Sequence, residues 1–173
     1  MKKTKSCPTC TTPIEFSETE CDICGWSSLA NSQIDLHEAL PVFLPMLGGT
    51  FMMGSSQTEK GRDPDEDEHR RSVNKFWIAN VEVTQCLYAL VTRRNPTMDK
   101  HPLKPVASIT WWEAIHFCNR LSSLLECDLV YSNLDTPTPT ANLDNNGFRL
   151  PTEAEWEWMA KHNAIDIPPH QEQ

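Results

Sequence analysis

The chain has 173 residues, 39% hydrophobic and 23% charged, enough for one main domain of about 100–200 residues and a small appendage. No apolar run approaches the roughly 20 residues that a membrane helix needs, so no membrane partner is expected. The net charge is −9 and Lys and Arg are dispersed, which leaves no basic stripe for phosphate and argues against nucleic acid.

Lys2, Lys3 and Lys5 open the chain, but Cys7-Pro-Thr-Cys10 stands where a signal peptide would carry its apolar stretch. A cytoplasmic protein is expected. The first four cysteines read Cys7-x2-Cys10-x10-Cys21-x2-Cys24-Gly25, the spacing of a zinc ribbon. Two such turns present four soft thiolates for a closed tetrahedral site, and Gly25 permits the tight turn around the metal. Residues 1–30 are too few to fold on a core of their own, so the zinc is expected to be structural, with Cys7, Cys10, Cys21 and Cys24 as ligands. All four positions come from protein, so none is left open for substrate.

Residues 31–40 read as a polar linker with at most one helical turn, and the main domain is expected over 41–165. Pro41-Val-Phe-Leu-Pro45 and Thr50-Phe-Met-Met53 flank Gly48-Gly49, a pattern that predicts a β-hairpin closed by the glycines. Ser55 to Arg71 reads as a polar loop whose acidic run, Asp63-Pro-Asp-Glu-Asp-Glu68, lacks the alternating ligand spacing of a cation loop. A strand pattern resumes over Val73 to Ile78.

Thr84 is a good N-cap for a helix over Gln85 to Val91. Thr110 and Glu113 form a capping box that starts a helix to about Leu125, with Trp111, Ala114, Ile115, Cys118, Leu121 and Leu125 on one face. Leu129-Val-Tyr131 suits a strand, and Asp135 to Asn146 a loop. A second capping box, Thr152 with Glu155, starts a last helix whose apolar face is expected to hold Trp156, Met159 and Ala160. Residues 166–173 read as a flexible tail after a helix-blocking Pro pair. Short strands among isolated helices argue an α+β fold.

Four ordered blocks carry a resemblance: Gly48-Gly-Thr-Phe-Met-Met-Gly-Ser55, the segment around Glu82-Val-Thr-Gln85, Pro105 to Ser122, and Arg149-Leu-Pro-Thr-Glu-Ala-Glu-Trp-Glu157. They resemble the sulfatase-modifying-factor family, whose best-known members are formylglycine-generating enzymes. The resemblance runs from about Val42 to Lys161 and is similar to the N-terminal half of that domain. It implies an irregular C-type-lectin-like fold, here C-terminally truncated and preceded by the zinc ribbon. The family's copper-binding cysteine pair, calcium ligands and Gly-Asn-Val-Trp-Glu-Trp-type segment would all lie beyond Gln173. Copper is therefore not expected in this chain.

Cys86 and Cys118 fall inside predicted helices and read as small core hydrophobes rather than nucleophiles. Trp111, Trp112, Trp156 and Trp158 read as core and rim packing, and His69 and His116 as structural histidines. No nucleotide-binding glycine loop, HExxH or GxSxG appears. No catalytic residue is assigned. The expected function is a non-catalytic, zinc-ribbon-bearing protein-interaction module, with a protein partner that could complete the domain. The alternative is half of an oxidoreductase that converts a substrate cysteine to formylglycine once a second chain supplies the copper-binding segment.

Overall fold

The structure is a computed structural model that describes residues 4–7, 13–15 and 35–162. Cys10, Cys21 and Cys24, most of the expected linker and the expected tail lie outside the described residues. The chain divides into two compact units, Met1–Pro41 with Val81–Leu150 and Val42–Asn80 with Pro151–Gln173.

The first unit is built on helices. Strands β1 (Thr4–Ser6) and β2 (Pro13–Glu15) form an antiparallel pair, with Lys5 opposite Ile14. The single turn α1 (Leu36–Ala39) follows, capped by Asp35, whose carboxylate accepts from the His37 N–H. Helix α2 (Gln85–Thr92) starts where Thr84 accepts from the Leu87 N–H and ends at Arg93, which takes the left-handed conformation (φ 64°). Helix α3 (Trp111–Leu124) has the reciprocal capping box foreseen: Thr110 Oγ1 accepts from the Glu113 N–H while the Glu113 carboxylate accepts from the Thr110 N–H. The two helices bury Leu87, Tyr88, Val91, Ile115, Phe117 and Leu121 against Val130 and Tyr131, and Tyr88 stacks on Phe117 with ring centroids 5.3 Å apart. β7 (Tyr131–Ser132) pairs with β8 (Thr140–Ala141).

The second unit is made of two separate antiparallel ribbons and one helix. β3 (Phe43–Met46) pairs with β6 (Phe76–Ala79), and β4 (Gly49–Met53) with β5 (His69–Val73). The hairpin expected around Gly48-Gly49 is therefore corrected: consecutive β3 and β4 join different ribbons. The glycines answer to crowding at that junction. A Cβ on Gly48 (φ +71°) would lie 2.4 Å from the Val73 carbonyl oxygen, and one on Gly49 would lie 2.5 Å from the Trp158 ring. β5 also starts inside the segment read as loop, because His69 to Ser72 are exposed and carry no apolar alternation to betray a strand.

Helix α4 (Glu153–Lys161) opens with the second foreseen capping box, and its Glu155 is buried because that carboxylate accepts from the Thr152 N–H. Its apolar face is only partly the one expected: Met159 packs on the core, whereas Ala160 is exposed. Trp158 is 8% exposed and packs edge-on against Phe51 with Met46 and Met53, while Trp156 is 60% exposed. Ala154, Trp158 and His162 recur at four-residue spacing, and His162 stacks on the Trp158 ring at 3.7 Å. Both periodicities exist in the sequence, and the space under Phe51 selects the second.

Candidate functional site

Of the four expected metal ligands, Cys7 is placed and Cys10, Cys21 and Cys24 are not described. Cys7 follows the last residue of β1 and is 1% exposed, with Ile14 of β2 also buried. The connection from Cys7 to Thr12 contains the first Cys-x-x-Cys, and its residues 8–12 lie outside the described residues. Four thiols at this spacing are a soft donor set, of the kind that would suit zinc.

The three remaining thiols sit elsewhere. Cys86 and Cys118 are each 6% exposed on α2 and α3. Burial pushes the Cys86 thiol up, and it pushes the Cys118 thiol up to about 12, which keeps Cys118 protonated at neutral pH. Cys127 is half-buried, its thiol directed at the Leu125 carbonyl. The reading of Cys86 and Cys118 as core residues agrees with this.

Buried polar side chains do more positioning than the sequence discloses. Gln85 is 0% exposed and makes four hydrogen bonds: its amide donates to the Asp99 and Pro105 carbonyls, and its oxygen accepts from Asn95 Nδ2 and the His101 N–H. One side chain thus pins both ends of the loop after α2. On α3, Asn119 accepts from the Tyr131 N–H at 3.1 Å and donates to its carbonyl at 2.8 Å, imitating a neighbouring strand along β7. Ser122 donates to the Cys118 carbonyl and accepts from the Phe148 N–H, and a Cβ on Gly147 would lie 1.9 Å from the Asp128 carbonyl oxygen.

In the second unit the salt-bridged pair Glu157 and Lys161 (2.7 Å) clamps the edge of β4. Glu157 accepts from the Gly54 N–H at 2.8 Å, and Lys161 donates to the Met52 and Gly54 carbonyls at 2.7 and 3.2 Å. Burial pushes the Glu157 carboxyl up, but the Lys161 ammonium and the Gly54 N–H together outweigh it and hold it below the usual carboxylate range.

The acidic loop is tied to itself. Arg62 meets Asp67 at 2.6 Å and Ser55 at 3.3 Å, Ser55 donates to Glu66, and His69 bridges the Asp67 carbonyl and Arg71 Nε. His69 therefore orders this loop through the Asp67 carbonyl and Arg71. Among the described residues no group of three or more His, Cys, Asp or Glu could hold a metal ion. Of the four tryptophans read as packing, only Trp158 is in a core. Trp111 and Trp112 form an exposed edge-to-face pair 5.3 Å apart. Among the described residues no helix is long and apolar enough to cross a membrane.

Residues 31–164 match the family described as Sulfatase-modifying factor enzyme 1-like domain. The chain is 33% identical over 122 residues to the Chaperone protein LppX of Paenibacillus barcinonensis, covering 62% of this chain and 42% of that protein. Among solved structures it is similar to Treponema denticola variable protein 1, with a TM-score of 0.59, 26% identity, and coverage of 70% of this chain and 52% of that one. The structure of CarF is similar in fold, with a TM-score of 0.52 at 20% identity over 72% of this chain and 57% of that one. The chain spans about two fifths to three fifths of the length of these relatives.

Proposed function

Because the chain belongs to the sulfatase-modifying factor enzyme 1-like domain family, we propose that it is a non-catalytic member acting through protein contact, with a structural zinc ribbon at its N-terminus as a docking element. The observation that carries this reading is the state of the thiols inside the family region. Formylglycine chemistry, as the family resemblance implies it, uses paired thiolates, whereas Cys86 and Cys118 are buried with raised pKa values and Cys127 is directed at a backbone carbonyl. The name of the similar Paenibacillus protein, a chaperone, points the same way, since chaperones act by contact. In the ribbon, Cys7, Cys10, Cys21 and Cys24 would hold one zinc ion with no open position, which supplies folding free energy rather than chemistry. Four reduced thiols fit the cytoplasm.

Two measurements test this. Elemental analysis is expected to give one zinc per chain, lost on replacing Cys10 and Cys24 by Ser; metal-free protein with oxidised pairs refutes the ribbon. A Cys-containing sulfatase-type peptide incubated with the chain, copper and oxygen is expected to keep its sulfur by mass spectrometry. Turnover by the chain alone overturns the non-catalytic reading. Family membership favours one alternative, half of a formylglycine-generating oxidoreductase, and turnover that appears only with a second chain supports it.

A further inference from the structure

Among the described residues both ribbons of the second unit have two strands, so each strand has an outer edge there. Three of the four edges carry a device that discourages further pairing. On β4, the outward groups of Met52 and Gly54 are taken by Glu157 and Lys161. On β5, exposed Arg70 and Arg71 place charge along the edge. On β3, Pro45 has no N–H to offer.

β6 has no such device. The Asn80 N–H donates to the Val42 carbonyl at 2.9 Å, which marks Val42 and Asn80 as a hydrogen-bonded pair at the end of the ladder. Bonded and non-bonded pairs alternate in an antiparallel ribbon, so Ile78 and Phe76 turn their N–H and C=O groups to β3 while Trp77 and Ala79 turn theirs away. The register agrees, since Pro45 stands opposite Trp77, where the ladder requires no N–H. Among the described residues the outward backbone groups of Trp77 and Ala79 have no hydrogen-bond partner. Trp77 is also 66% exposed, on the face opposite that buried by Phe76 and Ile78. Lys75, two residues before Trp77, is exposed and has no ion pair among the described residues, a local positive charge on a chain of net charge −9.

We propose that the outer edge of β6 is a strand-addition site for an extended peptide segment of a partner protein, apolar in its middle and carrying carboxylates at the end beside Lys75. The edge amides and carbonyls supply the ladder, Trp77 covers the apolar side chains, and Lys75 sets direction. In the antiparallel arrangement, the more stable per residue, the carboxylates lie at the C-terminal end of the partner segment. This proposal rests on the protein-contact reading and names a surface for it.

The test uses the full chain and a capped heptapeptide, Thr-Val-Thr-Val-Thr-Glu-Glu, followed by Trp fluorescence and amide hydrogen exchange. The expected result is saturable binding with new protection of the Trp77 and Ala79 amides. Binding should be weakened at least tenfold by Trp77→Ala, by Lys75→Glu, or by moving the glutamates to the N-terminal end. Ala79→Pro should abolish one edge bond, and Trp77→Ala, a surface change, keeps the test valid if that proline variant fails to fold. No binding, or binding insensitive to Trp77→Ala, overturns the proposal, as does self-association of the chain through β6, which would make a second copy the occupant. Failure here with the peptide substrate still unconverted leaves the non-catalytic reading standing; conversion of that substrate removes the reading itself.

Discussion

Replacing Gln85 by Leu keeps the volume of the side chain but removes all four of its hydrogen bonds, to the Asp99 and Pro105 carbonyls, Asn95 Nδ2 and the His101 N–H. A buried polar group left without a partner costs about 1–3 kcal/mol. Asp99 and His101 are exposed residues whose freed groups water can reach, whereas Asn95 is 1% exposed. With that rehydration the net loss is about 3 kcal/mol, a large share of the ~5–15 kcal/mol that holds a domain together. In urea, with a slope near ~2 kcal/mol per molar, the midpoint should fall by about 1.5 M. Gln85→Glu sharpens the argument. The carboxylate keeps the acceptor contacts but faces the two carbonyls with negative charge, so this variant should lose more than Leu at neutral pH and recover part of the loss as acid protonates it. A midpoint shift below about 0.3 M for both variants, or a Glu deficit that does not narrow on acidification, would refute the claim that this amide anchors the loop.

Thr110→Ala and Thr152→Ala should each lower stability by about 1 kcal/mol in chemical denaturation, since each removes a side-chain acceptor from a capping box. Cys86 and Cys118 should resist a thiol reagent at pH 8 in the native protein and react only in denaturant, as burial suppresses both thiolates. Gly147→Ala should cost more than a cap, about 2–4 kcal/mol by thermal melting, because the new methyl meets the Asp128 carbonyl and Ser122. The folded-state pKa of Glu157 lies below its unfolded value, so its clamp contributes stability above the ordinary carboxylate range that fades as pH falls through the folded value. Lys161→Met should therefore destabilise at pH 7 and approach the parent protein in acid, which melting curves across pH 2–7 would check.

The local parts of this protein are legible in its residue string. Both capping boxes, the Thr84 cap, the α+β character and the placement of Cys86 and Cys118 in a core follow from residues within a few positions of one another, and hydrogen bonds of three-residue span leave little room for alternatives. The family, too, was legible in short blocks. The rest depends on contacts between segments distant in the chain. Whether Gly48-Gly49 closes a hairpin or separates two ribbons depends on β5 and β6, more than twenty residues away, and a strand of exposed side chains such as His69 to Ser72 leaves no alternation to read. Trp156 and Trp158 lie on the same helix with similar chemistry, and packing against Phe51, Met46 and Met53 picks the one that is buried. Gln85, Asn119 and the pair Glu157 and Lys161 look like ordinary helix residues in a linear string. Their role appears once remote backbone groups stand unpaired beside them, because a buried amide must find a partner and the partner can come from any point in the chain.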